Sequence, residues 1–160
     1  MKEIILALTL IFMSSCTALA QTTIDRRVYE SQFSEPRLSA DELCIAYAIY
    51  HEARGEPRAG KQAVAHVILN RAQERNLSPC DVVWQRSQFS WTLKDPLPFV
   101  EDRRQWDLAK GLAVRVHSGA LADITLGANH YHRHDISPKW SAAGVGKQRI
   151  GAHVFMKIDF

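Results

Sequence analysis

The sequence predicts an α+β fold, mainly helical, in a single domain with a small antiparallel sheet toward the C-terminus. Three observations carry that expectation. Segments 39–53, 58–75 and 102–118 place apolar residues at helical spacing between Ser, Asp, Gly and Pro punctuation. Beyond residue 119, segments 127–134 and 150–157 alternate in the way of short strands. The 160 residues are 46% apolar and 23% charged, which is ordinary for one globular domain and excludes disorder throughout. There are no internal repeats.

The first helix follows from Ser39 and Glu42, a capping-box pair, and from Leu43, Ile45, Ala46, Ala48 and Ile49, which continue toward Glu52 and Ala53. Gly55 and Pro57 end it. The second, 58–75, carries Ala63, Val64, Val67 and Ile68 as one buried stripe. Residues 76–79 close it. Ser78 and Pro79 then start a short third helix with Val82, Val83 and Trp84, and Asp95-Pro96-Leu97-Pro98 is a loop. The helix over 102–118 turns Trp106, Ala109, Leu112, Ala113 and Val116 inward, so Trp84 and Trp106 are both expected in the core. Gly119 is its C-cap, and the two expected strands are separated by a Ser/Gly-rich loop around Trp140.

Residues 1–20 read as a secretory signal peptide: Lys2 is the positive n-region, 4–13 the apolar stretch, and Ala18-Leu19-Ala20 a small-x-small cleavage site. Lipid attachment at Cys16 is the minor alternative. Residues 21–38 form a flexible leader, and 39–160 the domain. No other apolar run is long enough to span a bilayer. The expected destination is therefore export, to the periplasm or beyond. With Cys16 gone, Cys44 and Cys80 remain, and two cysteines in an oxidising compartment argue for a disulfide. The formal charge of +3 comes from scattered basic residues, which does not point to nucleic acid.

Glu52 is the most informative residue. Ile45, Ala48 and Ile49 lie within about 60° of it around the helix, so its carboxyl sits at the end of the apolar face. Burial disfavours the ionised form and suits a general acid. The bland alternative is an ion pair with Arg54 or Arg71. Glu56 is placed to cap the second helix; as a second catalytic carboxylate it would have to flank the same bond as Glu52. His51-Glu52-Ala53-Arg54-Gly55 lacks the second histidine of a zinc-binding HExxH helix. His130, His132 and His134, with His153, offer the better metal case, against which they suit a sugar-binding wall equally well. His66 and His117 are structural. Trp91 and Trp140, next to loops, are cleft candidates. No GxSxG elbow, P-loop or dinucleotide fingerprint occurs, and no cofactor is expected.

Four blocks in order, YHEARGEPRAGKQAVAHVILNR (50–71), CDVVWQRSQFSW (80–91), GANHYHRHDISPKW (127–140) and IGAHVF (150–155), resemble the cell-wall hydrolase family that includes the spore-cortex-lytic enzymes. The resemblance covers nearly all of 43–155. It implies a lysozyme-like catalytic domain acting as a lytic transglycosylase on peptidoglycan, with Glu52 as the catalytic residue. It also implies that Gln88, Phe89, Ser90 and Trp91, and His130, Tyr131 and His132, surround the glycan cleft; Trp140 joins them as a substrate-binding candidate. Met156 stands where the family's pattern has a tyrosine, and no peptidoglycan-binding repeat precedes the domain.

The expected reaction is cleavage of the N-acetylmuramic acid to N-acetylglucosamine β-1,4 bond, leaving 1,6-anhydromuramic ends. The rivals are a hydrolytic muramidase, a metal-dependent amidase or peptidase using His130, His132 and His134, and a non-enzymatic peptidoglycan-binding module. The expected partner is the glycan strand of peptidoglycan, with no nucleic acid.

Overall fold

The computed structural model of the chain describes residues 37–159. The proposed signal peptide, Cys16 and leader residues 21–36 lie outside the described residues. Among these residues, four α-helices are followed by a three-stranded antiparallel sheet. Among the described residues no helix is long and apolar enough to cross a membrane.

Local chemistry fixes the helix ends. Helix α1, Ala40–Ala53, starts at the expected capping box: Ser39 Oγ accepts from the Glu42 amide, and Glu42 Oε2 accepts from the Ser39 amide at 2.7 Å. Helix α2, Arg58–Arg75, ends at Asn76, whose φ of 52° is left-handed and whose side chain tolerates that region. Helix α3, Pro79–Trp84, has Ser78 accepting from the Asp81 amide, and α4, Arg103–His117, has Asp102 accepting from the Gln105 amide.

Buried residues fall into two clusters. The larger joins α1, α2, α3 and α4 through Ile45, Ile49, Ile68, Val82, Val83 and Leu112, among others. Nearly every turn of α1 is buried, as a central helix requires. The smaller cluster packs Ala53 at the end of α1 and Ala63, Val64 and Val67 of α2 against Ala128, Ile150 and Phe155. Cys44 and Cys80 are disulfide-bonded with their Cα atoms 5.2 Å apart, which ties α1 to α3.

The sheet is where the sequence-based expectation needs correction. Its strands are β1 His130–Arg133, β2 Val145–Ile150 and β3 His153–Lys157, in the order β1-β3-β2. The segment 150–157 is thus not one strand: Ile150 ends β2, and a turn at Gly151 precedes β3. β2 occupies part of the expected Ser/Gly-rich loop. Its residues are mostly exposed and its pairing is interrupted between Val145 and Gln148, so it lacks the alternation that marks a half-buried strand. Trp84 also departs from expectation: it is 47% exposed, because the six-residue α3 points Val82 and Val83 inward instead. Trp106 packs against the larger cluster as expected.

Candidate active site

Glu52 lies on the last turn of α1, half-buried, where the smaller cluster begins. The Tyr131 hydroxyl donates to its Oε2 at 3.2 Å. Burial pushes the carboxyl above the ordinary glutamate value; the Tyr131 hydrogen bond and the Arg71 charge pull the other way without reversing it. The alternative ion pairs do not take the carboxyl. Arg54 instead donates to the Tyr50 hydroxyl at 3.2 Å, and Arg71 Nε donates to the Asn129 carbonyl at 2.6 Å.

The groups around Glu52 are held from several directions. Asn129 fixes the start of β1, donating to the Ile158 carbonyl and accepting from the Ile158 amide, both at 2.9 Å. The next inward residue, Tyr131, then faces α1 and packs against Phe155 of β3 with the rings tilted, and its ring is edge-on to His153. Burial, the nearby Glu52 charge and the hydrogen bond it donates hold its phenol well above the usual tyrosine range, so it stays a hydrogen-bond donor. Arg71 is buried, with its guanidinium 5.9 Å from the Phe89 ring centre, and its Nη1 has no hydrogen-bond partner. Its positive charge acts on both Glu52 and Tyr131.

Glu56 does not cap α2; Pro57 occupies the N-cap position, and no side chain bonds there. Its carboxylate reaches across the fold instead. Oε2 accepts from the Ala152 amide at 2.9 Å, and Oε1 lies 3.4 Å from His153 Nδ1. Gly151, at φ +63°, leaves room for this: a Cβ there would collide with Glu56 Oε2. Lys61, buried, donates to the Arg54 and Glu56 carbonyls and closes the turn between α1 and α2. Glu56 therefore pins the β2–β3 turn, and with it the sheet carrying Tyr131, to the turn that follows Glu52.

The remaining candidates separate. Phe89 and Trp91 are 2% and 5% exposed and belong to the larger core cluster. Trp91, at the 3-10 turn Ser90–Leu93, lies 4.7 Å ring to ring from His51, so it buttresses the residue beside Glu52 rather than presenting a free wall. Gln88 is half-buried and Ser90 exposed. His130 and His132 occupy the face of β1 opposite Tyr131, because strand side chains alternate. Their rings lie 5.6 and 5.7 Å from Trp140, which is 44% exposed. The histidines engage different partners: His130 Nδ1 meets Asn129 Oδ1, His132 Nδ1 the Arg133 carbonyl, and His134 Nδ1 the Ala152 carbonyl. Among the described residues no group of three His, Cys, Asp or Glu side chains is placed to hold a metal ion. His66 and His117 are structural ties, the first to the Gln62 and Leu121 carbonyls and the second to Glu42.

The family profile described as Cell Wall Hydrolase matches residues 55–156. The chain belongs to the cell wall hydrolase family. The matched span holds Arg71, Gln88 and Tyr131, and begins three residues after Glu52. This cell wall hydrolase is 36% identical over 122 residues to a spore cortex-lytic enzyme of Halalkalibacterium halodurans; the match takes in 72% of the chain and 34% of that protein, about a third of its length. Two solved structures share the fold. The catalytic domain of the Bacillus cereus SleB protein is 28% identical with a TM-score of 0.61, covering 77% of this chain and 94% of that one. The catalytic domain of the germination-specific lytic transglycosylase SleB from Bacillus anthracis is 27% identical with the same TM-score, covering 77% and 99%.

Proposed function

We propose that this cell wall hydrolase is an exported peptidoglycan lytic transglycosylase that cuts the N-acetylmuramic acid to N-acetylglucosamine β-1,4 bond with Glu52 as its one catalytic carboxyl. The observation that carries the reading is the Glu52–Tyr131 contact: a carboxyl with raised proton affinity, oriented by a donor that cannot readily ionise. The names of the relatives, a spore cortex-lytic enzyme and a lytic transglycosylase, support it.

Protonated Glu52 gives its proton to the glycosidic oxygen as the bond to the muramic C1 breaks. Positive charge develops at C1. The muramic C6 hydroxyl attacks C1, and its proton passes to the ionised Glu52, so the acid is restored and no water is consumed. In that second half Tyr131 and Arg71 stabilise the carboxylate, one by its hydrogen bond and the other by its charge. A second carboxylate is not required, which fits a Glu56 committed to Ala152 and His153. His130, His132 and Trp140 act as a sugar-binding wall on the outer face of the sheet and take no part in proton transfer. Gln88 and Ser90 contribute polar contacts to the strand, and Phe89 and Trp91 anchor their segment in the core.

Mass spectrometry of digested sacculi tests this. Anhydromuramic ends are expected; reducing muramic ends would make the protein a muramidase, and cut stem peptides with intact glycan would make it an amidase or peptidase.

A further inference from the structure

A cavity of about 360 Å³ lies beside the end of α1, within the range of small-ligand sites. Its floor is rigid. The buried Tyr50 hydroxyl accepts from the Glu101 amide at 3.0 Å, the Asp102 amide at 2.9 Å and Arg54 Nη1 at 3.2 Å. One wall is apolar, the proline-stiffened segment 96–99, where Phe99 is 79% exposed and Leu97 44%. The other walls carry His51, Arg54 and Glu101, so a cation and an anion line the same pocket beside its apolar wall, close enough for the Glu101 charge to act on Arg54.

The cavity's place relative to Glu52 narrows the ligand. Around the helix axis His51 is 100° from Glu52, and Tyr50 and Arg54 about 200°, while the rise from Glu52 to Arg54 is only about 3 Å. A strand held at Glu52 does not run straight into the cavity. A branch of three residues spans about 10 Å, the width of a helix with its side chains, so a branch rather than the strand itself has the length and freedom to turn past His51 around the helix end.

We infer that this cavity is a subsite for the peptide stem of peptidoglycan, with Arg54 taking a stem carboxylate, Glu101 the ammonium of a diamino acid, and Phe99 the alanine methyls. In a stem-bearing strand the muramic lactyl carboxyl is tied up as the amide to L-alanine, so the glycan backbone is uncharged there and offers no partner for Glu101; stripping the stem frees that carboxylate but supplies no ammonium and no methyl groups. The stem is the branch of the polymer that carries carboxylates, an ammonium and small apolar groups together. The inference rests on the proposed placement of the strand at Glu52 and adds a determinant of which strands are cut.

The test uses the full chain and three probes: stem-bearing glycan strands, the same strands stripped of stems by an amidase, and the free tripeptide L-Ala-γ-D-Glu-meso-diaminopimelate. Stem-bearing strands should show a KM about three- to tenfold below that of stripped strands. Arg54→Ala should erase most of that difference, and so should Phe99→Ala, a change at an exposed side chain that spares the fold. Equal KM for the two strands in the wild type, or equal shifts on both strands in the variants, overturns the subsite. If neither strand is cut, the reading of Glu52 has failed, and a tripeptide titration followed by NMR decides the cavity alone. Saturable shifts of the Phe99 ring that Arg54→Ala abolishes uphold it; no shifts overturn it.

Discussion

The two faces of β1 carry adjacent residues of similar polarity and do different things. Tyr131 points inward, loses its water and meets a carboxyl whose proton affinity burial has raised. His130 and His132 point outward, stay half-exposed and sit against an exposed tryptophan. One step along a strand separates proton chemistry from surface recognition, because side-chain alternation turns Tyr131 toward Glu52 and the two histidines toward Trp140.

The sharpest way to break that contrast is to remove the acid. Glu52→Gln should lower turnover on sacculi by about a hundred- to ten-thousandfold. It should not lower the melting temperature at neutral pH. Glu52 binds its proton more tightly folded than unfolded, so its ionisation costs stability above the unfolded carboxyl's range, and the neutral amide escapes that cost. The wild type and the variant should converge in stability in acid, and a melting series across pH checks both parts.

Tyr131→Phe tests the inner face itself. Loss of a hydrogen bond to a carboxylate should cost about tenfold in kcat. It also removes a contact that holds the Glu52 proton affinity down, so the alkaline limb of the pH–rate profile should move to higher pH. A fall in kcat with an unmoved limb would make Tyr131 a packing residue only. Reduction of the Cys44–Cys80 bridge, or Cys80→Ala, acts on the frame behind both faces. It should lower unfolding free energy by up to about 4 kcal/mol, the chain-entropy value for a loop of this length, as read by denaturant titration. Trp140→Ala probes the outer face and should have the smallest effect: KM rises about threefold, with the pH limb in place.

Much of the fold was legible because its determinants are local. Ser39 with Glu42, Ser78, Asp102 and Asn76 cap helices within three or four residues of themselves, and the structure places the helix ends there. The disulfide followed from compartment and count. β2 was illegible because a mostly exposed strand carries no apolar period. The side-chain face of Trp84 was misjudged because α3 is too short for a periodic pattern to select one. At the site, Glu52 stood out through its own helix. Its partner Tyr131 is 79 residues away, and Ala152, which holds Glu56, is 96 away. Antiparallel pairing in a sheet containing an unforeseen strand sets both contacts, and no local signal announces them. A capping role for Glu56 was the natural local expectation, and a long-range hydrogen bond overrode it.

Burial raises the proton affinity of the Glu52 carboxyl above that of an ordinary glutamate. Carbon-13 NMR of side-chain carboxyls, with Glu52→Gln identifying the resonance, measures its titration directly. A midpoint above the ordinary glutamate value of 4.5, coinciding with the alkaline limb of kcat/KM, is the expected result. A midpoint at or below 4.5, with activity persisting well above it, would contradict the account.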